Sequence, residues 1–198
     1  VDRRVLIPRP ETELLVEKSL ARIPPDARWN IADLGTGSGA IALAIAHERP
    51  RCRVYACDHS VAALDVARAN AAQLGITNIE FSHGDWLAPL AQRTFEMIVS
   101  NPPYVRADDP HLNDGDVRFE PRAALVGGPD GLDAIRLIAK QAFTRLMPGG
   151  WLLLEHGHDQ AATVADILTA AGFCEILCYH DLAGHDRVTE CRAAPTGC

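Results

Sequence analysis

The residue types best suited to chemistry in this sequence form one tetrapeptide, Asn101-Pro102-Pro103-Tyr104. Asn101 precedes a proline, which holds its backbone extended, and its side-chain carbonyl is a hydrogen-bond acceptor. Because prolines fix φ and lack an N–H, the Pro102 carbonyl can face a ligand from a stiff loop. These two oxygens could bind both hydrogens of one planar NH₂ group. Tyr104 offers an aromatic face that could stack on that group or attract a methyl sulfonium cation.

A planar NH₂ group is a poor nucleophile because its lone pair is delocalised. Binding both hydrogens while the lone pair turns toward a methyl donor offsets part of that cost, and positioning supplies the rest. No strong base is needed, since the alkylated nitrogen becomes acidic and loses its proton readily. The tetrapeptide therefore predicts methyl transfer, with Asn101, Pro102 and Tyr104 as the catalytic residues. The alternative is an ordinary turn with a packed tyrosine.

A glycine-rich segment, Asp33-Leu34-Gly35-Thr36-Gly37-Ser38-Gly39, falls between the first predicted strand and the helix that follows it. Glycines allow the backbone to turn sharply and let a ligand approach closely. Asp58 ends the second predicted strand about 20 residues later, where a carboxylate can accept both ribose hydroxyls of a nucleoside. The segment and Asp58 predict a nucleoside cofactor, and at this point S-adenosylmethionine and NAD both remain open.

A third candidate segment, the tripeptide Gly84-Asp85-Trp86, follows the third predicted strand. Asp85 could accept a hydrogen bond from the amino group of an adenine, and Trp86 could cover the adenine face. A capping aspartate beside a packed tryptophan is the alternative. The cofactor site predicted from these segments consists of Asp33, Gly35, Thr36, Gly37, Ser38, Gly39, Asp58, Asp85 and Trp86.

The elements that must position these residues alternate along the chain. Strands are predicted over 30–34, 53–57, 79–82, 95–100, 151–155, 173–179 and 187–192, and helices over 11–23, 38–48, 60–74, 132–146 and 160–171. Pro148-Gly149-Gly150 is expected to form a turn, and 101–131 a long loop of the kind that is usually functional. The fold is predicted to be α/β, a Rossmann-like, mostly parallel sheet of seven strands with a C-terminal antiparallel hairpin. That is the shape of the class I methyltransferases, which depend on S-adenosylmethionine.

Composition narrows the class of protein. The 198 residues are 47% hydrophobic, which indicates a globular domain. Their net charge of −7 and scattered charged residues give no basic face of the kind that binds the phosphates of nucleic acid. Neither a membrane span nor a signal peptide is expected. The six cysteines form no C-x-x-C pair and favour reduced core thiols and a cytoplasmic location, and no metal site is predicted.

Taken together, these residues resemble those of the release-factor glutamine N5-methyltransferases, the HemK/PrmC family. The resemblance covers essentially the whole chain, and its first stretch is the most specific to this family. The matching stretches are Leu6-Ile7-Pro8-Arg9-Pro10-Glu11-Thr12-Glu13, Asp33–Gly39, Asn101–Tyr104, Glu120-Pro121-Arg122 with Gly127, Gly128 and Asp130-Gly131-Leu132, and Asp181-Leu182-Ala183-Gly184 with Asp186-Arg187. His185 stands where the family usually has a small polar residue, and little consequence is expected.

The resemblance implies the cofactor, the substrate and several roles. S-adenosylmethionine would be the cofactor, and a peptide chain release factor would be methylated on the side-chain nitrogen of a glutamine. Asn101, Pro102, Pro103 and Tyr104 would hold that glutamine side chain, and Asn101 would also contact the cofactor. The entrance to the active site would be lined by Arg9, Glu11 and Thr12.

The same resemblance gives an expected domain organisation. Residues 1–28 would form a linker and the N-terminal helix of the catalytic domain, and 29–198 the methyltransferase domain. The family normally carries a small helical domain before the Pro-Arg-Pro-Glu-Thr segment, and that domain is expected to be absent from this chain.

Four other functions compete with this interpretation. A ribosomal-protein glutamine methyltransferase would share every motif. A nucleic-acid adenine-N6 methyltransferase uses the same kind of tetrapeptide but must extrude its base and hold the backbone, which the charge disfavours. An NAD-dependent oxidoreductase is disfavoured because no Tyr-x-x-x-Lys pair occurs. The intact Asn101 argues against a non-catalytic binding module.

Overall fold

A computed structural model describes residues 4–113 and 120–194 of the chain. In chain order the helices and strands are α1 (Pro10–Arg22), β1 (Asn30–Leu34), α2 (Ala40–Glu48), β2 (Arg53–Asp58), α3 (Val61–Leu74), β3 (Ile79–His83), β4 (Phe95–Ser100), α4 (Asp133–Phe143), β5 (Leu146–Glu155), α5 (Ala161–Ala170), β6 (Phe173–His180) and β7 (Asp186–Ala193). None of the helices in these two ranges is long and apolar enough to cross a membrane. Cys198 lies outside the described residues, as do 114–119 of the predicted loop.

All seven strands join one sheet in the order β3-β2-β1-β4-β5-β7-β6. The pairs among β1 to β5 are parallel, whereas β7 runs antiparallel to both β5 and β6. This confirms the predicted mostly parallel sheet with its antiparallel hairpin. Because β1 lies between β2 and β4, the order of the strands reverses there, and a crevice opens beyond their carboxyl ends.

The sheet is covered by helices on both faces. In β4, Ile98 contacts the core shared with α4 and α5, and its neighbours Met97 and Val99 contact the core shared with α1 and α2. Successive side chains of a strand point to opposite faces, so a strand that is apolar at every position must be buried on both. The central strands are therefore packed on both faces, and this packing fixes the positions of the polar residues that follow them.

The limits of α3 follow from two residues that the sequence singles out. The Ser60 side chain accepts a hydrogen bond from the Ala63 N–H at 3.2 Å, which caps the first turn. Gly75 ends the helix in the left-handed conformation, with φ +67°. The predicted cap and stop are both confirmed, and they fix the helix that follows Asp58.

The predicted turn at Pro148-Gly149-Gly150 is wrong, because these residues lie within β5. Phe95 of β4 pairs with Leu146, and Met97 pairs with Trp151, so the extra residues of β5 form a bulge between two paired segments. Proline and glycine suit a bulge as well as a turn. Helix α4 correspondingly ends at Phe143, before the predicted 146.

Candidate active site

A cavity of about 670 Å³ lies beyond the carboxyl ends of β1, β2, β3 and β4. The glycine segment, the Gly84-Asp85-Trp86 segment and the Asn101–Tyr104 tetrapeptide are far apart in sequence, yet each contributes residues to this cavity. Its lining includes Gly35, Gly37, Asp58, Asp85, Trp86, Asn101 and Pro103. The crevice expected from the strand order is thus the place where the candidate residues meet.

The glycine segment forms a tight loop at the floor of this cavity. The backbone N–H groups of Gly35 and Thr36 both donate to the Cys57 carbonyl, at 2.9 and 3.0 Å, which ties the loop to the end of β2. Gly35 and Gly37 have φ angles of +71° and +55°, which favour glycine. The loop therefore presents backbone rather than side chains to a ligand.

Asp58 joins this loop to the beginning of α3. Its Oδ2 accepts from the Gly37 N–H and its Oδ1 from the Ser60 N–H, both at 2.8 Å. The residue is only 7% exposed, and it lines the cavity. A carboxylate oxygen has two lone pairs, so each oxygen can accept a further hydrogen bond. Two adjacent hydroxyls of a ribose would supply such donors.

Trp86 forms one wall of the cavity in a strained backbone conformation. Its φ of +48° is unusual for a residue with a side chain, and its carbonyl accepts from the Cys57 thiol at 2.8 Å. The Leu87 N–H donates to the Gln141 side chain at 3.1 Å. A Cβ added to Gly35 would lie 3.4 Å from the Trp86 ring. Strain held in this way is typical of functional sites, and here it places an aromatic ring over the glycine loop.

The predicted catalytic tetrapeptide leaves the end of β4 and enters a hydrogen-bond chain. Asn101 Nδ2 donates to Thr12 Oγ1 at 3.1 Å, and the Thr12 hydroxyl donates to Glu155 Oε2 at 2.8 Å. The Tyr104 hydroxyl donates to the other oxygen, Glu155 Oε1, at 3.1 Å. Glu155 thus links the two ends of the tetrapeptide to the first turn of α1.

Two glycines of the following loop press against the backbone of the tetrapeptide. A Cβ at Gly127 would lie 2.4 Å from the Pro103 carbonyl oxygen, and one at Gly131 would lie 2.3 Å from that of Tyr104. The Gln160 side chain donates to the same Tyr104 carbonyl at 3.0 Å. The absence of side chains at these glycines is what lets the loop support the tetrapeptide from behind.

An ion pair connects the segment before α1 to the loop that faces the cavity. The Arg9 guanidinium donates to both carboxylate oxygens of Glu120, at 2.9 and 2.8 Å. Glu120 is 8% exposed, and Val5 and Leu6, a few residues before Arg9, line the cavity. The pair therefore holds the chain before α1 in place beside the cavity.

Comparison with known proteins shows the family to which this chain belongs. Residues 10–115, more than half of the chain, match the model of the Methyltransferase small domain. The release factor glutamine methyltransferase of Xylella fastidiosa is 52% identical over 189 residues, which cover 96% of this chain and 69% of that protein. That of Coxiella burnetii is 51% identical, with 95% and 67% covered. The chain belongs to the release factor glutamine methyltransferase family.

Solved structures agree with this membership. The release factor-specific protein-(glutamine-N5) methyltransferase of Alicyclobacillus acidocaldarius is 31% identical, with a TM-score of 0.58 over 96% of this chain and 95% of that one. A Thermus thermophilus 16S rRNA methyltransferase, solved with AdoMet and guanosine, has a TM-score of 0.70 at 20% identity. The fold is therefore that of the class I methyltransferases, and the chain is a methyltransferase.

Not every predicted site residue of this family member lines the cavity. Asp33, Thr36 and Ser38 are buried, and none of them lines the cavity. Thr12 and Tyr104 meet through Glu155, Arg9 is paired with Glu120, and Glu11 is half-buried in the first turn of α1. Their roles in binding cofactor or substrate stay predictions.

Sequence reasoning missed Glu155 altogether. It ends β5, the strand beside β4, and the pair Ser100–Leu154 places it next to Asn101 in the parallel register. Its signal was a glutamate at the end of an otherwise apolar strand. With the sheet order known, that position is at the same edge as the other polar strand ends.

Asp33 should make stability depend on pH. Burial raises its pKa from 3.8 to about 7, and its Oδ1 has no hydrogen-bond partner among residues 4–113 and 120–194. Between these two values the folded chain keeps a proton that the unfolded chain has lost, so the free energy of unfolding should fall as pH rises. Asp33→Asn removes this titration. Denaturant unfolding should show its stability relative to wild type increasing from about pH 4 to about pH 7, and parallel curves would contradict the assignment.

Proposed function

We propose that this methyltransferase transfers a methyl group from S-adenosylmethionine to the side-chain amide nitrogen of a glutamine in a peptide chain release factor. The observation that carries the proposal is Asn101, which lines the cavity while its Nδ2 is engaged by Thr12. Its carbonyl oxygen is the branch turned away from Thr12, and an amide NH₂ is the complementary donor. Relatives at about half identity, named for this reaction, support the substrate class.

The residues around the cavity fit S-adenosylmethionine. Asp58 would accept from the ribose hydroxyls, because both of its oxygens keep acceptor capacity beside the hydrogen bonds from Gly37 and Ser60. Trp86 and Asp85 would receive the adenine. When bound, the cofactor supplies an electrophilic methyl group on a sulfonium centre.

The tetrapeptide would orient the nitrogen of the substrate. Asn101 Oδ1 and the Pro102 carbonyl would each accept one hydrogen of the glutamine NH₂, so that its lone pair faces the methyl carbon. Tyr104 would stack on the planar amide. The N–C bond forms as the S–C bond breaks, the bonding pair of the latter stays on sulfur, and the acidified nitrogen releases its proton to water. The residues act chiefly by positioning.

The proposed partner is the release factor itself, met in the cytoplasm. The net charge of −7 argues against a nucleic-acid substrate held through its phosphates. A ribosomal protein remains the competing protein substrate.

A direct comparison of substrates tests the proposal. The enzyme is incubated with labelled S-adenosylmethionine and, in turn, with a release factor, ribosomal proteins and duplex DNA. Label should appear on the release factor far faster than on the others. Preferential labelling of ribosomal protein or DNA would replace the proposed substrate.

Cofactor affinity should depend on Asp58. Asp58→Ala is expected to weaken S-adenosylmethionine binding by about 1–3 kcal/mol, since ribose hydroxyls and backbone donors lose their acceptor. Asp65→Ala is a matched control, because Asp65 is an exposed residue of α3 paired with Arg68. Calorimetry measures both. Tight binding of NAD with none of S-adenosylmethionine would overturn the cofactor assignment.

A further inference from the structure

Glu155 is a buried carboxylate that the proposed reaction does not use directly. It is completely inaccessible to solvent at the end of β5, and two hydroxyls donate to it, those of Thr12 and Tyr104. Burying a carboxylate is costly unless its oxygens are hydrogen-bonded. This buried carboxylate lies where the end of β5 is next to the Asn101–Tyr104 tetrapeptide.

The arrangement of protons in this cluster follows from the carboxylate. An ionised carboxylate only accepts hydrogen bonds, so both hydroxyls must direct their single protons toward Glu155. The Thr12 oxygen then faces Asn101 with lone pairs alone. Only the NH₂ branch of the Asn101 amide can bind it, and this is the bond found, at 3.1 Å. The carbonyl branch is held in the opposite direction.

We infer that Glu155 is a positioning residue, which acts through the Thr12 hydroxyl to keep the Asn101 carbonyl oxygen turned toward the substrate amide. The same carboxylate holds the Tyr104 ring through its hydroxyl. An asparagine amide can rotate by half a turn at little steric cost, and the rotated form would offer donors to a substrate that itself offers donors. Glu155 and Thr12 exclude that form, so the inference rests on the proposed function and explains how its acceptor is preserved.

Charged neighbours favour the ionised form only in part. Burial raises the pKa of Glu155, and the nearby Glu11 raises it further, whereas the two hydroxyls and Arg187 of β7 lower it. Arg187 is itself paired with Asp181 at the hairpin. The hydroxyl donors therefore favour the charged form of Glu155 against the effect of its burial, and removing one should affect the other end of the chain.

Substitution of Thr12 isolates the hydroxyl. Thr12→Val keeps the shape but removes both the donor and the acceptor, and is expected to lower kcat about 10-fold or more while KM for the release factor and cofactor affinity change little. Tm should fall as well, because the buried Glu155 loses one of its two donors. Thr12→Ser restores the hydroxyl and should recover most of the lost rate. Thr169→Val serves as the matched control, because Thr169 is an exposed residue of α5.

A double-mutant cycle tests whether Glu155 acts through Thr12. Glu155→Gln retains the volume but replaces one carboxylate oxygen by an NH₂ group, which donates and cannot accept. Because Thr12 and Tyr104 donate to different oxygens of Glu155, one of the two hydrogen bonds is lost and kcat is expected to fall about 10-fold. Because both residues act on Asn101 through one chain, the double variant Thr12→Val/Glu155→Gln should be about as slow as the slower single variant. Effects that multiply would contradict the inference.

The side-chain amide protons of Asn101 give a readout that does not need turnover. Their solvent exchange, followed by nuclear magnetic resonance, should be slow in wild type and Thr12→Ser and faster in Thr12→Val. Equal exchange in all three, or equal rates of Thr12→Val and wild type, would overturn the inference. Wild-type enzyme that leaves the release factor unmethylated would defeat the proposed function instead, and the exchange measurement would still decide the orientation of Asn101.

Discussion

Replacing Asn101 by Ala is expected to lower kcat for methyl transfer by about 10²–10³-fold, the scale seen when one preorganised hydrogen-bonding group is lost. The side chain lines the cavity and is already oriented by Thr12, so it needs no rearrangement to accept from the substrate. Cofactor affinity should change much less than the rate, because the contact matters most in the transition state. Single-turnover kinetics with labelled S-adenosylmethionine measure the chemical step directly.

Measuring Tm together with the rate of Asn101→Ala distinguishes a catalytic role of Asn101 from a structural one. A folded variant with a wild-type Tm and a stopped reaction supports the catalytic role. Asn101→Asp keeps an acceptor and should retain partial activity, although its charge would also attract the sulfonium. A folded Asn101→Ala variant with a near-normal rate, or one that simply unfolds, would favour an ordinary turn.

A second large effect is expected at Gly131, which is not among the residues that line the cavity. A Cβ there would lie 2.3 Å from the Tyr104 carbonyl oxygen, and the residue has φ +78°. Gly131→Ala must therefore displace the Tyr104 carbonyl and the Gln160 amide that donates to it, and a displacement of about 1 Å can cost on the order of 10²-fold in rate. Steady-state kinetics and thermal unfolding report the two consequences separately.

Gly184 offers the matched control for that substitution. Its φ of +83° is similar, but a Cβ there would meet nothing within 4 Å. Both alanine variants should lose about 1–2 kcal/mol of stability from the left-handed backbone. Gly131→Ala should lose more than this because of the clash, and only Gly131→Ala should lose activity. Equal rates in the two variants would mean that the loop does not support the tetrapeptide.

The fold, and the approach of the glycine segment, Asp58 and Trp86 to one cavity, were predictable because their signals are local. The glycine segment, Asp58 and Trp86 each follow a strand that its apolar residues reveal, and parallel strands bring their carboxyl ends to one edge. The Ser60 cap and Gly75 stop of α3 are similarly written in a few adjacent residues. Such features depend on backbone geometry more than on distant contacts.

The surroundings of Asn101 were less predictable because they depend on pairs distant in sequence. Thr12 and Glu155 are 143 residues apart, and Arg9 and Glu120 are 111 apart. In neither pair do the neighbouring residues in sequence indicate which distant residue will be the partner. In the sequence, Glu155 is indistinguishable from an ordinary polar residue at the end of a buried strand. The bulge in β5 was missed for a related reason, since its pairing with β4 decides between a bulge and a turn.

In the proposed reaction, the amide nitrogen of a release-factor glutamine receives the methyl group. The most direct measurement is mass spectrometry of the release factor after incubation with the enzyme and S-adenosylmethionine, with fragmentation to locate the added methyl. We predict a single methyl on the side-chain nitrogen of one glutamine, formed by wild type and nearly absent with Asn101→Ala. An unmodified release factor in the presence of bound cofactor, or a methyl on another residue type, would contradict the claim.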